Sequence, residues 1–207
     1  MRPVQEVVPG IHHWEARHPK IKLQVSSYYV EPAATLLDPI MPEDGDLDWF
    51  SHRERRPERI VLTNRHHYRH SDEFRAALGG LPVFASRQGM HEFESGPDVE
   101  PFDFGEEVAP GITAIEVGGI CPDETALRID IAGGTIAFAD GVIRPPGGGP
   151  LMFVPDQLMG EPERDKEALR RALSQIVDEE EFENLLLAHR KPVVGDGRRA
   201  LLDFVKE

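Results

Sequence analysis

Cysteine is all but missing from this chain. Cys121 stands alone among 207 residues, which excludes an intrachain disulfide and fits a reducing compartment. Positive charge is also scarce. Lys and Arg number 23 against 37 Asp and Glu, for a net charge of −14. That surplus of acid argues against nucleic acid or an anionic membrane surface as the main partner. No apolar run approaches the roughly 20 residues needed to span a bilayer. The opening MRPVQEVVPG lacks the apolar stretch of a secretory signal. No repeat of fixed period and no long low-complexity tract is present, and RPPGGGP (144–150) reads as a mobile loop rather than a linker. The expectation is a soluble, cytoplasmic protein, long enough for one sizeable domain or two small ones.

Apolar residues are spread along the whole length, so a packed core is expected. GIHHWEA (10–16), QVSSYYV (24–30) and ATLLD (34–38) read as strands, rich in β-branched, aromatic or aliphatic residues and broken by Pro and Gly. LDWFSHR (47–53) suggests a short helix. RIVLTN (59–64) has the compact apolar character of a strand buried on both faces. Ser71 is placed to cap a helix, DEFRAAL, with two acids in its first turn and Gly79-Gly80 to stop it. LPVFAS (81–86) and RQGMHEF (87–93) repeat the strand–helix alternation. Three strand-like runs follow at 111–117, 126–131 and 134–140. The strongest helical pattern is ERDKEALRRALSQIV (163–177), with apolar residues at a spacing of three to four. A last strand, NLLLAH (184–189), precedes a closing helix at 197–205. Helices interleave with strands throughout, which favours two sheets covered by helices over a bare sandwich.

Several strands end in a polar or ionisable residue followed by an irregular loop, where α/β proteins place their chemistry. The stretch TNRHHYRHS (63–71) puts His66, His67 and His70 directly after a strand. Imidazole is a common metal ligand, and a solvated polar turn is the plain alternative. Asp140 closes TIAFAD and reads either as a carboxylate ligand or as a turn residue bonded to its own backbone. His189 closes NLLLAH in the same manner. Cys121, in GGICPDETAL, reads as a small buried hydrophobe, a soft-metal ligand or a nucleophile; Glu124 nearby reads as a capping or pairing residue. Arg65 and Arg69 flank the histidines and either receive an anionic ligand or pair with the chain's own acids.

The order of these elements resembles the metallo-β-lactamase superfamily over nearly the whole chain. VPGIHHWEA and SSYYVEPAATLLDP resemble its opening strands, with Asp38 as the Asp that ends one of them. RIVLTNRHHYRHSDEF resembles the strand, H-x-H-x-D-H loop and helix. VGGICPDETALRI resembles the G-H-T/S-P-G-x-x-A-L segment, TIAFADGVI the strand ending in the metal-bridging Asp, and NLLLAHRKPVV the final ligand loop. The resemblance implies an α+β fold, a four-layer αββα sandwich forming one domain over residues 1–207. Matching Thr63 to the Thr that often precedes the motif sets Asn64 at the first histidine, His66 at the second, and Tyr68 and Arg69 at the Asp and third histidine. No histidine stands near Cys121. Asp140 matches the bridging Asp and His189 the last histidine.

The resemblance therefore implies a reduced site, at most mononuclear, with His66, Asp140 and His189 as ligands and His66 and Asp140 in catalytic roles. A mononuclear site needs about three protein ligands and an open position. Asn64, His67, Tyr68, Arg69, His70 and Cys121 are further pocket residues, with His67 or His70 recruited if the loop slips and Cys121 as a thiolate. One reading is a hydrolase with one divalent metal (Zn, Fe or Mn) acting on a small, anionic molecule. The other is a metal-free, non-catalytic module binding a small ligand, in which Arg69 pairs with Asp140 in place of an ion. A redox or nucleophilic Cys121 is a third. The loop at 145–160 reads either as a cover for the pocket, with Met152, Phe153, Leu158 and Met159 lining an apolar entrance, or as an apolar insert packed into the core.

Overall fold

A computed structural model describes residues 4–206. Among these described residues twelve strands form two sheets. The first sheet runs in sequence order: β1 (Gln5–Val8), β2 (Ile11–Arg17), β3 (Gln24–Val30), β4 (Thr35–Leu37), β5 (Arg59–Val61), β6 (Val83–Ser86) and β7 (Glu100–Phe102). It is antiparallel through β4 and parallel from β4 to β7. The second sheet contains β8 (Glu107–Ala109), β9 (Ile112–Glu116), β10 (Thr125–Ile129), β11 (Thr135–Phe138) and β12 (Asn184–Leu187). Its order is β12-β11-β10-β9-β8, with only β11 and β12 parallel. Helices α1 (Asp48–Ser51) and α2 (Ser71–Ala77) belong to the first half, α3 (Pro162–Glu179) and α4 (Gly197–Lys206) to the second.

Strand alternation explains why these pieces stack. In β4 and β5 successive side chains point to opposite faces. Leu36 and Ile60 join Trp14, Tyr29, Phe50 and Phe74 in a core beneath α1 and α2. Leu37 and Val61 enter a second core, facing Leu127, Ile129 and Leu186 of the other sheet. The outer face of that sheet, with Ile136, Phe138, Leu185 and Leu187, packs on Leu169, Leu173 and Ile176 of α3 and Leu201 of α4. Three cores separate four layers, so the αββα sandwich is what the apolar pattern requires. No helix among the described residues is long and apolar enough to cross a membrane.

Several local expectations are corrected. Strands β1, β7 and β8 went unread because each spans only three or four residues with an exposed start. Ser71 does not cap α2 but opens it, its hydroxyl donating to the Tyr68 carbonyl at 2.6 Å. The segment at 87–93 is a 3-10 turn, Arg87–Glu92, whose Ser86 side chain accepts from the Gln88 N–H. In the loop at 145–160, Met152 and Leu158 stay exposed at a cleft. Phe153 instead packs at a tilt against Phe204 and Met159 is buried in the core beneath α3, because both reach apolar surface that the loop would otherwise leave open.

Three contacts between the sheets bear on the site. The Tyr28 hydroxyl donates to the Leu187 carbonyl and accepts from its N–H, at 2.9 and 3.0 Å. The Ser26 N–H donates to the Ala188 carbonyl at 2.8 Å. Together they fix the end of β12 against β3. On the other side the Thr125 N–H donates to the Thr63 carbonyl at 3.0 Å, joining the start of β10 to the end of β5.

Away from these strand ends, Glu31 lies between Arg53 (2.5 Å) and His12 (2.9 Å). Hydrogen bonds from Arg53 hold its carboxyl down at about 2, against an ordinary 4.5, despite partial burial. A depressed folded-state pKa contributes stability that is complete above the unfolded value and fades as pH falls through the folded one. Urea midpoints of wild type and Glu31→Gln should therefore differ most at pH 7 and converge between pH 4.5 and about 2. A gap that stays constant across that window would refute this linkage.

Candidate metal centre

The polar residues that matter leave the C-terminal ends of β4, β5, β11 and β12, all at one end of the paired sheets. Asp38 follows β4 in a left-handed conformation (φ 46°) and is buried. Its Oδ1 accepts the Thr63 N–H at 2.8 Å, and its Oδ2 accepts from the Thr63 hydroxyl and from His67 Nδ1, the latter at 2.9 Å. That contact turns the other face of the His67 ring, Nε2, toward Asp140. Residues 65–68 form a 3-10 turn, capped by the Asn64 side chain accepting the His66 N–H at 2.8 Å. The turn is kinked at His67 itself (φ −93°, ψ 18°), and it buries the His67 side chain while leaving that of His66 exposed.

His67, not His66, consequently enters the site. His67 is 4% exposed, whereas the His66 side chain is exposed at the cleft and belongs to no metal-binding group among the described residues. The one such group is His67, Asp140 and His189, whose ligand atoms lie within 4.8 Å of one another. Asp140 Oδ1 is 2.8 Å from His189 Nε2 and 3.3 Å from His67 Nε2. It is shielded from solvent, and neither nitrogen meets it at a hydrogen-bonding angle.

The remaining expected pocket residues have other partners. Asn64 Nδ2 donates to Asp140 Oδ2 and to Glu124 Oε2, each at 3.2 Å. The Tyr68 hydroxyl turns away to Asp72, at 2.6 Å. His70 Nδ1 accepts the Met41 N–H at 3.1 Å. Arg69 makes no ion pair with Asp140 among the described residues; its guanidinium donates to the carbonyls of Ser26 (2.7 Å), Asp38 (2.9 Å) and Ala188 (3.5 Å). The expected ion pair gives way because the guanidinium is committed to these strand-end carbonyls, and among the described residues it is the donor that the Ser26 carbonyl finds. Arg65 is likewise engaged, by Asp123 through both its backbone N–H and its guanidinium.

Glu124 does more than cap or pair. It is fully buried, and its Oε1 accepts the N–H groups of Asp140 and Gly141 at 2.7 and 2.6 Å. Burial and the adjacent Asp140 charge push its carboxyl up to about 8. Asp140 is held below the usual carboxylate range by the His67 and His189 imidazoles, which outweigh the opposing effect of burial. His67 moves up, to about 9: burial opposes its charge, but Asp38 and Asp140 dominate. An ion bound here would replace the proton that these carboxylates favour.

Cys121 lies beside Glu124, its thiol donating to Oε2 at 3.7 Å. Burial first, and then the charges of Glu124 and Asp123, raise the thiol well above its ordinary range. The thiol form dominates at neutral pH, which removes the basis for a nucleophilic role. A maleimide or disulfide reagent at pH 7.5 is expected to label native protein far more slowly than urea-unfolded protein. Equal rates would restore the reactive-thiol reading.

Above the three-residue cluster opens a cleft of roughly 1100 Å³. Five strong bases line it, Lys20, Arg65, Arg69, Arg144 and Arg190, against two acids, Glu92 and Asp140. In a chain with a surplus of acid this is a local reversal of charge. The surroundings of His18 reflect it, since partial burial and then Arg69, His70, His67 and Lys20 hold that imidazole below the ordinary range. Lys20, Arg144 and Arg190 form no ion pair among the described residues. Sequence reading missed these three because they come from loops far apart in the chain.

Comparison with solved structures gives the architecture its place. The metallo-β-lactamase DIM-1 superposes with a TM-score of 0.72 at 11% identity, covering 99% of this chain and 97% of its own. The metallo-β-lactamase FIM-1 from Pseudomonas aeruginosa, solved in a mono-zinc form, gives 0.68 at 13% identity, with 99% and 95% covered. TTHA1623 in a di-iron-bound form gives 0.58 at 17% identity, with 94% of each chain covered. This chain has the metallo-β-lactamase fold. No family model and no curated protein matches it.

Proposed function

We propose that this chain is a hydrolase of the metallo-β-lactamase fold with a reduced metal centre, holding one divalent ion on His67, Asp140 and His189. The observation that carries the reading is Asp140 Oδ1, shielded from solvent, without a properly angled donor, and faced by two imidazole nitrogens. Two nitrogens and a carboxylate oxygen suit Zn, Fe or Mn, and three protein ligands are the number that leaves a position open for chemistry. FIM-1 with one zinc and TTHA1623 with two irons lend the fold's capacity for such ions. When bound, the ion supplies Lewis acidity, polarising a scissile carbonyl or phosphoryl group and making water acidic enough to attack near neutral pH.

The chain's own residues supply the rest. Asp38 fixes the His67 tautomer, so that Nε2 offers its lone pair. Asn64 and Glu124 hold Asp140 in place, one by its carboxylate and the other by its backbone. Asn64, Tyr68 and Arg69 contribute no ligand atom to the cluster, and Arg69 places a cation beside it, which supports a single ion rather than a pair. The basic lining of the cleft favours an anionic substrate.

Elemental analysis of purified protein should find close to one equivalent of Zn, Fe or Mn. Hydrolysis of thioester, lactone or phosphodiester probes should stop on chelation and return with the metal. Absence of metal even after reconstitution would remove the proposal. A metal-free, small-ligand-binding protein would then stand, favoured by Arg69 and the unpaired rim cations. Its signature is thermal stabilisation by anions that a chelator leaves unchanged.

A further inference from the structure

Exposed apolar side chains on this chain are few and concentrated. Among the described residues Ile21, Leu23, Met152, Leu158 and Val194 are the large ones left exposed, at 38–68%. The first four line the same cleft that ends on His67, Asp140 and His189. They come from two segments remote in sequence, the turn between β2 and β3 and the loop after β11. Scattered exposed aliphatics need no explanation, but a cluster gathered at one cavity marks a binding surface. Among the described residues three cations in the same lining lack a carboxylate partner: Lys20, Arg144 and Arg190. Arg144 donates only to the carbonyls of Gly149 and Pro192.

We infer that the cleft selects a soluble amphipathic anion, with an aliphatic arm of several carbons against Ile21, Leu23, Met152 and Leu158 and its negative head on the rim cations Lys20, Arg144 and Arg190. The inference rests on the proposed hydrolase in one respect: it places the scissile bond of such a compound near His67, Asp140 and His189. A short polar anion would leave the aliphatic wall in water. A cationic amphiphile would meet five bases. A lipid surface would meet a chain of net charge −14 and a recess rather than a protruding apolar face.

Calorimetry with butanoate, octanoate and octyltrimethylammonium, below micelle concentrations, tests this on the protein as purified and again after chelation. A fully buried methylene strengthens binding about fourfold. Four added methylenes, partly sheltered, should give octanoate an advantage of roughly tenfold or more over butanoate. Leu23→Gln with Leu158→Gln should erase that advantage, both side chains being exposed and dispensable for folding. Lys20→Gln with Arg190→Gln should weaken both carboxylates alike. Octanoate binding should survive chelation. Equal binding of butanoate and octanoate, preference for the ammonium compound, octanoate binding lost with the metal, or co-sedimentation with phosphatidylglycerol vesicles would each overturn the inference. Because these readouts do not require turnover, a protein without metal would end the hydrolase reading while leaving chain-length selectivity decided on its own.

Discussion

Asp140→Ala is expected to strip the protein of its divalent ion. Asp140 offers the sole carboxylate oxygen in the cluster with His67 and His189, and two imidazoles without it fall short of the three ligands that hold an open site. The loss of affinity should exceed the roughly 10–100-fold that removal of an outer partner costs. Elemental analysis should show metal near background, and chelator-sensitive hydrolysis should vanish with it. The fold should persist, because Glu124 binds the backbone of residue 140 rather than its side chain. Retention of a full equivalent of metal by Asp140→Ala would place the ion elsewhere.

Asp38→Asn is expected to separate metal binding from folding. The Asn carbonyl can still accept the Thr63 N–H, and Asn tolerates the left-handed backbone at this position. Its amide nitrogen, however, would donate to His67 Nδ1 where the carboxylate now accepts. The ring would then carry its proton on Nε2, the atom that faces Asp140, and that nitrogen would have no lone pair for a metal. Metal affinity should fall about 10–100-fold while circular dichroism and cooperative unfolding are retained. Asp38→Ala should be far worse for stability, by about 3–5 kcal/mol, since it strips a buried His of its charge partner and leaves the Thr63 N–H unpaired. Metal affinity of Asp38→Asn equal to wild type would mean that Asp38 is structural only.

The same two residues show how far sequence could lead. Asp140 and His189 stood out as ionisable side chains ending apolar strands, the family resemblance made them candidate ligands, and the structure brings both to one point. The interleaving of helices with strands sufficed for two sheets covered by helices, and the four-layer order came with the family resemblance. His67 was displaced to the margin because matching the loop residue by residue assumes an extended register, whereas the chain from Arg65 to Tyr68 winds into a 3-10 turn. The cue that selects His67 is Asp38, a buried carboxylate 29 positions earlier that needs a donor. Such a pairing is not visible along the chain. Glu124 and the rim cations were obscured for the same reason, since their roles depend on loops that meet only after both sheets are assembled. Arg69 shows the opposite error: its charge suggested an ion pair, but its guanidinium is taken up by the strand-end carbonyls of Ser26, Asp38 and Ala188.

Among these tests the most direct is an anomalous-difference map from crystals of protein purified without added metal, recorded at wavelengths bracketing the Zn, Fe and Mn edges. The account predicts a single peak bounded by His67 Nε2, Asp140 Oδ1 and His189 Nε2, with no second peak beside Arg69. An empty site after metal reconstitution, or a peak coordinated by His66 or by two separate ligand sets, would contradict it.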